Sequence, residues 1–510
     1  MSEAAQRETI AFLADPASHG GQAVEAITTH ASIVFLVGDR VLKLKRAVKY
    51  SYLDFSTPEL RRQYCETELA LNRRTAPQLY LQVLPVTRET DGRLALGGAG
   101  APLDWLVVMK RFPQEALFSR LAEADGLTPD LMRRLADNIA AFHASAEVRP
   151  DFGGVGGVTQ VIGINSENLR RDGPPRIDLA EIDALTEASR AAEAELATLL
   201  ERRREKGHTR RCHGDLHLGN ICLIDGAPTL FDCIEFNASI ASTDVLYDLA
   251  FLLMDLRYRG HATEAAIVFN RYLDVTEESD GLPAMPLFLS LRAWVRAHVT
   301  ATAATLESSA ERREADLAVV RRYFDLAMHF LKPRPPRLLA IGGLSGTGKS
   351  TVAAVAAGVV DTAPAARVLR SDVVRKRQFG AAPEQKLPAE AYGEAATARV
   401  YAVLLEEAAA ALKAGRSVIL DSVAAKPEER ASFADLARRL RMPFDGIWLE
   451  APAEVLMGRV GARHGDASDA DLAILRKQLG YDLGPMDWRR VDASPSPEAV
   501  AQAVLKAVTR

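Results

Sequence analysis

Leu338-Leu-Ala-Ile-Gly-Gly343-Leu-Ser-Gly-Thr-Gly348-Lys349-Ser350-Thr351 decides how the second half of this chain folds. A short apolar run reads as a buried strand, and residues 343–350 fit G-x-x-x-x-G-K-[ST] at the strand-to-helix junction that motif requires. The residue types follow from the chemistry of a phosphate cradle. Gly343, Gly346 and Gly348 let the backbone, with Leu344, Ser345 and Thr347 between them, turn its N–H groups inward around a β-phosphate. Lys349 places a point charge on the β- and γ-phosphates, and Ser350 is suited to ligate Mg²⁺. Ser350 and Thr351 open a helix whose N-terminus favours an anion. The motif implies ATP with Mg²⁺; GTP would satisfy it as well.

Downstream, strand and helix patterns alternate. Arg367–Leu369, Ser417–Asp421 and Gly446–Ala451 read as strands, and Tyr392–Lys413, Phe433–Leu440 and Pro452–Val460 as helices. That alternation implies a parallel sheet with helices on both faces. Asp421 ends a buried strand, where a second acid near Mg²⁺ is expected; a turn acid is the alternative. Asp372 and Arg375 follow the second strand, at the carboxyl edge where ligands bind in such sheets. Asp372 can take a proton from an acceptor hydroxyl and Arg375 can hold the acceptor; a capping acid beside a surface arginine is the other reading. Arg459 and Arg463, one turn apart before His464-Gly-Asp-Ala-Ser-Asp469, suit a lid over the γ-phosphate, or an exposed basic face.

Residues 337–490 resemble the small P-loop kinases: gluconate kinase, the zeta-toxin family and the polynucleotide 5′-hydroxyl kinases. GLSGTGKST, SDVVRK and RVGARHGDASDA carry the likeness. It implies that Asp372 is the base and Arg375 its acceptor-binding partner.

Upstream lies Leu331-Lys-Pro-Arg-Pro-Pro-Arg337, whose three prolines end a helix and stiffen a connector. We therefore expect a first domain at 1–332, a linker at 333–337 and a second domain at 338–510. The first part begins with β-rich runs, including Ser32–Val37 and Arg40–Val48 around the hairpin signal Gly38-Asp39. It becomes mostly helical after Pro129, which predicts a bilobal α+β plan. The glycine-rich stretch 151–157 reads as a loop.

A second motif, His213-Gly-Asp215-Leu-His-Leu-Gly-Asn220, sits on a short loop of this part. Asp215 can orient and deprotonate a hydroxyl, and Asn220 can ligate Mg²⁺. An apolar run then delivers Asp232, a hard oxygen donor for the same metal. A hairpin turning at Asp225-Gly226 joins the two loops. His213 and His217 read as structural supports.

HGDLHLGN and LFDCIEFN resemble the aminoglycoside-phosphotransferase and choline-kinase branch of the protein-kinase-like fold, across residues 25–330. The likeness places the ATP lysine on the strand Gly38-Asp-Arg-Val-Leu-Lys-Leu-Lys45. Lys45 is preferred, with Lys43 on the same face and a surface lysine as the other reading. Its helix partner is Glu68, with Glu66 as runner-up. Asp248 is implied to be structural. The chain as a whole is similar to bacterial fusions of an aminoglycoside-phosphotransferase-like domain with a P-loop kinase-like ATPase domain. The expected fold class is thus a bilobal protein-kinase-like α+β domain followed by an α/β P-loop domain with a parallel sheet.

Composition narrows the rest. The 510 residues are 48% hydrophobic and 25% charged with a net charge of −4, which excludes a disordered or fibrous chain and gives no basic signal for nucleic acid. A 5′-hydroxyl acceptor for the second half remains open through the resemblance alone. Four cysteines without CxxC spacing point to free thiols in a reducing compartment. No basic segment followed by an apolar core precedes residue 22, and no run spans a bilayer, so a cytoplasmic chain without a membrane partner is expected. The expected activity is transfer of the γ-phosphoryl of ATP to a small-molecule hydroxyl. The alternatives are a P-loop half acting as a regulatory ATPase switch, and a first half that only binds. Neither acceptor nor the oligomeric state is legible.

Overall fold

The computed structural model describes residues 6–29, 31–50, 53–173, 176–276, 278–361, 364–462 and 468–508. The chain forms two compact units that interleave in sequence. One is Met1–Asp255 with Leu291–Ala327; the other is Leu256–Ser290 with Met328–Arg510. The proline-rich stretch therefore does not by itself mark the division: Leu256–Ser290 precedes it, yet groups with the phosphate-loop half. Its helix Ala262–Thr276 carries Asn270, which bonds the backbone of Ala366 and Val368. A helix joins the core that its buried groups match, and chain order alone does not record that choice.

The first unit opens with a six-stranded antiparallel sheet. Its spatial order is Val24–Thr28, Ser32–Val37, Arg40–Lys45, Ala101–Lys110, Tyr80–Arg88, Leu94–Leu96. Strand alternation sorts the side chains onto two faces. Phe35, Leu42, Leu44, Leu106 and Val108 pack on one face with Leu13. Tyr80, Val107 and Met109 pack on the other with Cys65. Leu42 and Leu44 claim the first face, so Lys43 and Lys45 must share the second.

Helices dominate the remainder, among them Pro129–Ser145, Gly154–Asp172, Leu179–Glu205, Val245–Tyr258 and Met285–Leu306. The stretch 151–157, expected as a loop, in fact enters a helix at Gly154. The Glu201 carboxylate accepts the Val155 amide at 2.8 Å, which satisfies a helix-start donor that the glycine run has no side chain to cap.

The second unit holds a five-stranded, wholly parallel sheet. Its order is Arg367–Arg370, Val418–Asp421, Leu338–Gly343, Phe444–Glu450, Arg489–Asp492. Leu338–Gly343 is central and buried throughout, as its continuous apolar pattern requires. The helix Lys349–Val360 follows it directly. No helix among the described residues is long and apolar enough to cross a membrane.

Candidate functional site

The first site is built from side chains. Helix Pro58–Asn72 starts at Thr57, whose hydroxyl accepts the Leu60 amide, and buries Arg61, Cys65, Glu68 and Asn72. Steps of four, three and four residues place these on one helical face. Three of them are polar, so the inward face of this helix is a row of anchors. Arg61 binds Asp104 through two nitrogens at 2.7 and 2.9 Å. Asn72 accepts the Cys233 amide at 2.9 Å.

Glu68 is fully buried and meets both strand lysines: Lys43 Nζ donates at 2.8 Å and Lys45 Nζ at 2.6 Å. Glu66 lies on the exposed face and pairs with Arg62 instead. The two lysines then diverge. Lys43 also reaches Asp232 Oδ1 at 2.6 Å, whereas Lys45 reaches Glu235 and lies over the Phe55 ring. Side-chain exposure is 14% for Lys43 and 1% for Lys45. Burial works against both charged lysines, but the facing carboxylates outweigh it and hold both pKa values above the ordinary lysine range. Glu68 is likewise kept ionised against its burial by the two lysines. Burial dominates at Glu235 and raises its pKa.

Glu235 carries no signal that marks it in sequence, beyond standing three residues after Asp232 in LFDCIEFN.

The loop motif is held by hydrogen bonds. The amides of His213 and Gly214 donate to Asp248 at 3.1 and 2.8 Å, and His143 lies 3.1 Å from the same carboxylate. The His213 ring bonds the Phe231 carbonyl at 2.9 Å, which ties the two loops together. Asn220 Nδ2 donates to Asp215 Oδ2 at 2.8 Å and to its carbonyl at 2.9 Å. The Phe231 amide in turn donates to the Asn220 carbonyl at 3.0 Å. The hairpin turns where Asp225 and Gly226 both take positive φ. Asp232 also has φ 60, a left-handed conformation that a non-glycine residue holds only when its surroundings fix it. The Tyr80 hydroxyl helps by accepting the Asp232 amide at 3.1 Å.

Burial alone would raise the Asp215 pKa, but His217, 3.4 Å away, and Arg296 together hold it well below the usual carboxylate range. Asp215 is therefore held ionised. With its amide nitrogen engaged, Asn220 has its amide oxygen left to offer, and the Asp232 carboxylate is 41% exposed. Hard oxygen donors of this kind fit Mg²⁺.

The second site is built mainly from backbone. Gly346 has φ 87, and a Cβ there would sit 2.8 Å from the Leu456 carbonyl, so only glycine fits. Gln478 accepts the Ser345 amide at 2.8 Å, and Thr347 Oγ1 donates to the Leu344 carbonyl at 2.8 Å. Lys349 Nζ donates to the same carbonyl at 3.1 Å. Ser350 Oγ donates to Asp421 Oδ2 at 2.6 Å, and Arg370 Nε lies 3.4 Å from that oxygen. A hydroxyl and a carboxylate side by side are again a donor pair that suits Mg²⁺. Burial raises the Asp372 pKa, opposed by Arg370 and reinforced by Asp421.

Two other residues expected here donate to groups of their own unit. Arg375 donates to the Ala391 carbonyl at 2.6 Å and to Thr397 at 3.3 Å, with its guanidinium 5.0 Å from the Tyr392 ring. Arg459 donates to the carbonyls of Ala493, Ser494 and Pro495. Arg463 lies outside the described residues. No local pattern marks Asp469, which is pinned by Lys376 at 2.9 Å, the Leu387 amide at 2.9 Å and the Tyr392 hydroxyl.

Residues 32–288 match the family model of the phosphotransferase enzyme family, and residues 338–481 match an AAA domain model. An uncharacterized protein of Mycobacterium tuberculosis is 30% identical over 494 residues, covering 94% of each chain; one of Mycobacterium bovis matches equally. Among solved structures, a choline/ethanolamine kinase family protein from Mesorhizobium loti is 14% identical with a TM-score of 0.39, covering 64% of this chain and 95% of its own. A sugar kinase from Janibacter sp. HTCC2649 is 25% identical with a TM-score of 0.27, covering 34% of this chain and 94% of its own.

Proposed function

Since this chain belongs to the phosphotransferase enzyme family, whose model spans just over half of it, we propose that it is a cytoplasmic, two-site, ATP- and Mg²⁺-dependent kinase. Each unit would pass the γ-phosphoryl of ATP to a hydroxyl of a small molecule. The observation that carries the reading is one connected network. Asn220 orients Asp215, while Lys43 ties Asp232 to Glu68. Together these groups would supply an ionised base, two oxygen ligands and a cation for phosphate. Bound Mg²⁺ would neutralise charge on the phosphates. Asp215 would hold the acceptor hydroxyl and take its proton, and Asn220 would keep the carboxylate aimed. Lys43 suits the phosphate-facing role better than the expected Lys45, because it sits on the Asp232 side and is the more exposed of the two. Lys45 and Glu235 would brace Glu68 from below.

In the second unit Lys349 and the cradle would bind phosphates, with Ser350 and Asp421 at the metal and Asp372 as base. The buried free cysteines accord with a reducing compartment. A second reading of this unit, a nucleotide-driven switch without an acceptor, is favoured by one observation: Arg375 and Arg459 both donate to carbonyls of their own unit. The test is ATP turnover and product formation by Asp215→Asn and Lys349→Ala over sugars, nucleosides and aminoglycosides. Each variant should lose a distinct phosphorylated product. Loss of hydrolysis in Lys349→Ala alone, with no product from either site, favours the switch.

A further inference from the structure

The strand Arg367–Arg370 is the edge of the parallel sheet. Among the described residues its outer backbone groups have no neighbouring strand, and an edge of this kind has to be covered. Helix Ala262–Thr276 covers it with one side chain. Asn270 Oδ1 accepts the Val368 amide at 2.7 Å, and Asn270 Nδ2 donates to the Ala366 carbonyl at 3.1 Å. A single carboxamide thus makes the two bonds that another strand would make.

The same contact holds a buried cation. Arg367 is 3% exposed; its guanidinium donates to Asn270 Oδ1 at 3.1 Å and to Asp274 Oδ1 at 2.6 Å. The helix also meets the helix that starts at Lys349. A Cβ at Gly358 would lie 2.6 Å from the Ala262 carbonyl; Arg257, on the preceding helix Val245–Tyr258, also donates to the Gly358 carbonyl. One element therefore grips both the helix behind the phosphate loop and the strand that ends at Arg370. Arg370 lies against Asp421, and Asp372 follows two residues later.

Resting on the reading of this unit as an ATP-using site, we propose that Asn270 and Asp274 are positioning residues for it. Acting through Arg367, they fix where Arg370 and Asp372 stand relative to Ser350 and Asp421. Neither residue touches the phosphate loop, so the two act on alignment rather than on nucleotide binding. They also lie inside the stretch matched by the phosphotransferase family model. A helix from the region assigned to one activity would thereby set the geometry of the other.

The test uses the full chain carrying Asp215→Asn, so that remaining turnover belongs to the second site. Asn270→Ala and Asp274→Asn should each lower Lys349-dependent kcat by about 10- to 100-fold, the scale of a small misplacement of reacting groups. Calorimetric affinity for MgATP should stay within about threefold, since binding and alignment are separate contributions. Asp274→Glu should recover part of the loss. Unchanged kcat with a lower melting temperature would overturn the proposal and leave a purely structural cover. Hydrogen exchange on the same variants separates failure of this proposal from failure of the enzymatic reading. If no Lys349-dependent turnover exists, faster exchange in Ser371–Gln378 still supports positioning. A rise confined to residues 366–368 refutes it.

Discussion

The two units build their candidate sites by opposite means. In the first, the groups that would meet a nucleotide are charged side chains, and they hold one another: Lys43 with Asp232 and Glu68, Lys45 with Glu68 and Glu235. In the second, most of them are backbone amides fixed by glycine geometry, with Ser350 and Asp421 beside them. A side-chain site is sensitive to the loss of any partner, because a buried charge left alone is costly. A backbone site is sensitive to added atoms and indifferent to most side-chain losses. The comparison can be broken by variants that act on one design and not the other.

The largest separation should come from the base. Asp215→Asn keeps the Asn220 contact nearly isosteric and removes the proton acceptor together with the charge that faces His217 and Arg296. First-site product should fall by about 10³-fold, within the range for general base catalysis, while Lys349-dependent turnover persists. Product analysis by mass spectrometry reads both at once. If Asp215→Asn silenced both sites, the units would share one chemistry and the contrast would fail.

Next comes stability. Lys45→Met strands Glu235 without its buried cation and leaves Glu68 with Lys43 alone, and should cost about 3–5 kcal/mol. Thr347→Ala in the cradle removes one hydroxyl bond to the Leu344 carbonyl and should cost about 1 kcal/mol. Urea denaturation of the two variants compares the designs directly. Lys43→Met should unfold more like wild type than Lys45→Met, because Lys43 and Asp232 both reach solvent, yet it should lose more nucleotide affinity.

These contrasts track what was readable in the chain. The phosphate loop, the parallel sheet and the Asp215–Asn220 loop were legible because each depends on local spacing: glycines at fixed offsets, apolar runs, an acid and an amide five residues apart. Both units, the protein-kinase-like and the P-loop, follow from them. Glu235 was not legible, since its role arises only when a strand, a helix and a loop converge on two lysines. Nor was the placement of Ala262–Thr276, whose Asn270 looks like an ordinary helical asparagine until the sheet edge lies beside it. Arg375 and Arg459 show the converse. Their spacing suited ligand contacts, and in the fold each donates to carbonyls of its own unit.

A smaller effect should follow from adding an atom to the cradle. Gly346→Ala forces a non-glycine residue to φ 87 and puts a methyl 2.8 Å from the Leu456 carbonyl. At about 1–2 kcal/mol for the left-handed conformation alone, MgATP affinity of the second site should drop about tenfold, with first-site affinity unchanged. Calorimetry on the Lys43→Met chain isolates that site.

The smallest expected difference is in pH response, and its sign follows from the two proposed bases. At Asp215, burial is outweighed by His217 and Arg296, so the pKa is depressed and the carboxylate stays ionised as pH falls. At Asp372, burial outweighs Arg370, so the pKa is raised and protonation begins at a higher pH than for an ordinary aspartate. A base works only when ionised. Lowering the pH from about 8 to about 5 should therefore reduce kcat/KM at the second site by a few-fold before the first site responds through Asp215. Parallel profiles for the Asp215→Asn and Lys349→Ala chains supply the comparison. Superimposable acid limbs would mean that the two carboxylates sit in equivalent surroundings, against the difference in their neighbours.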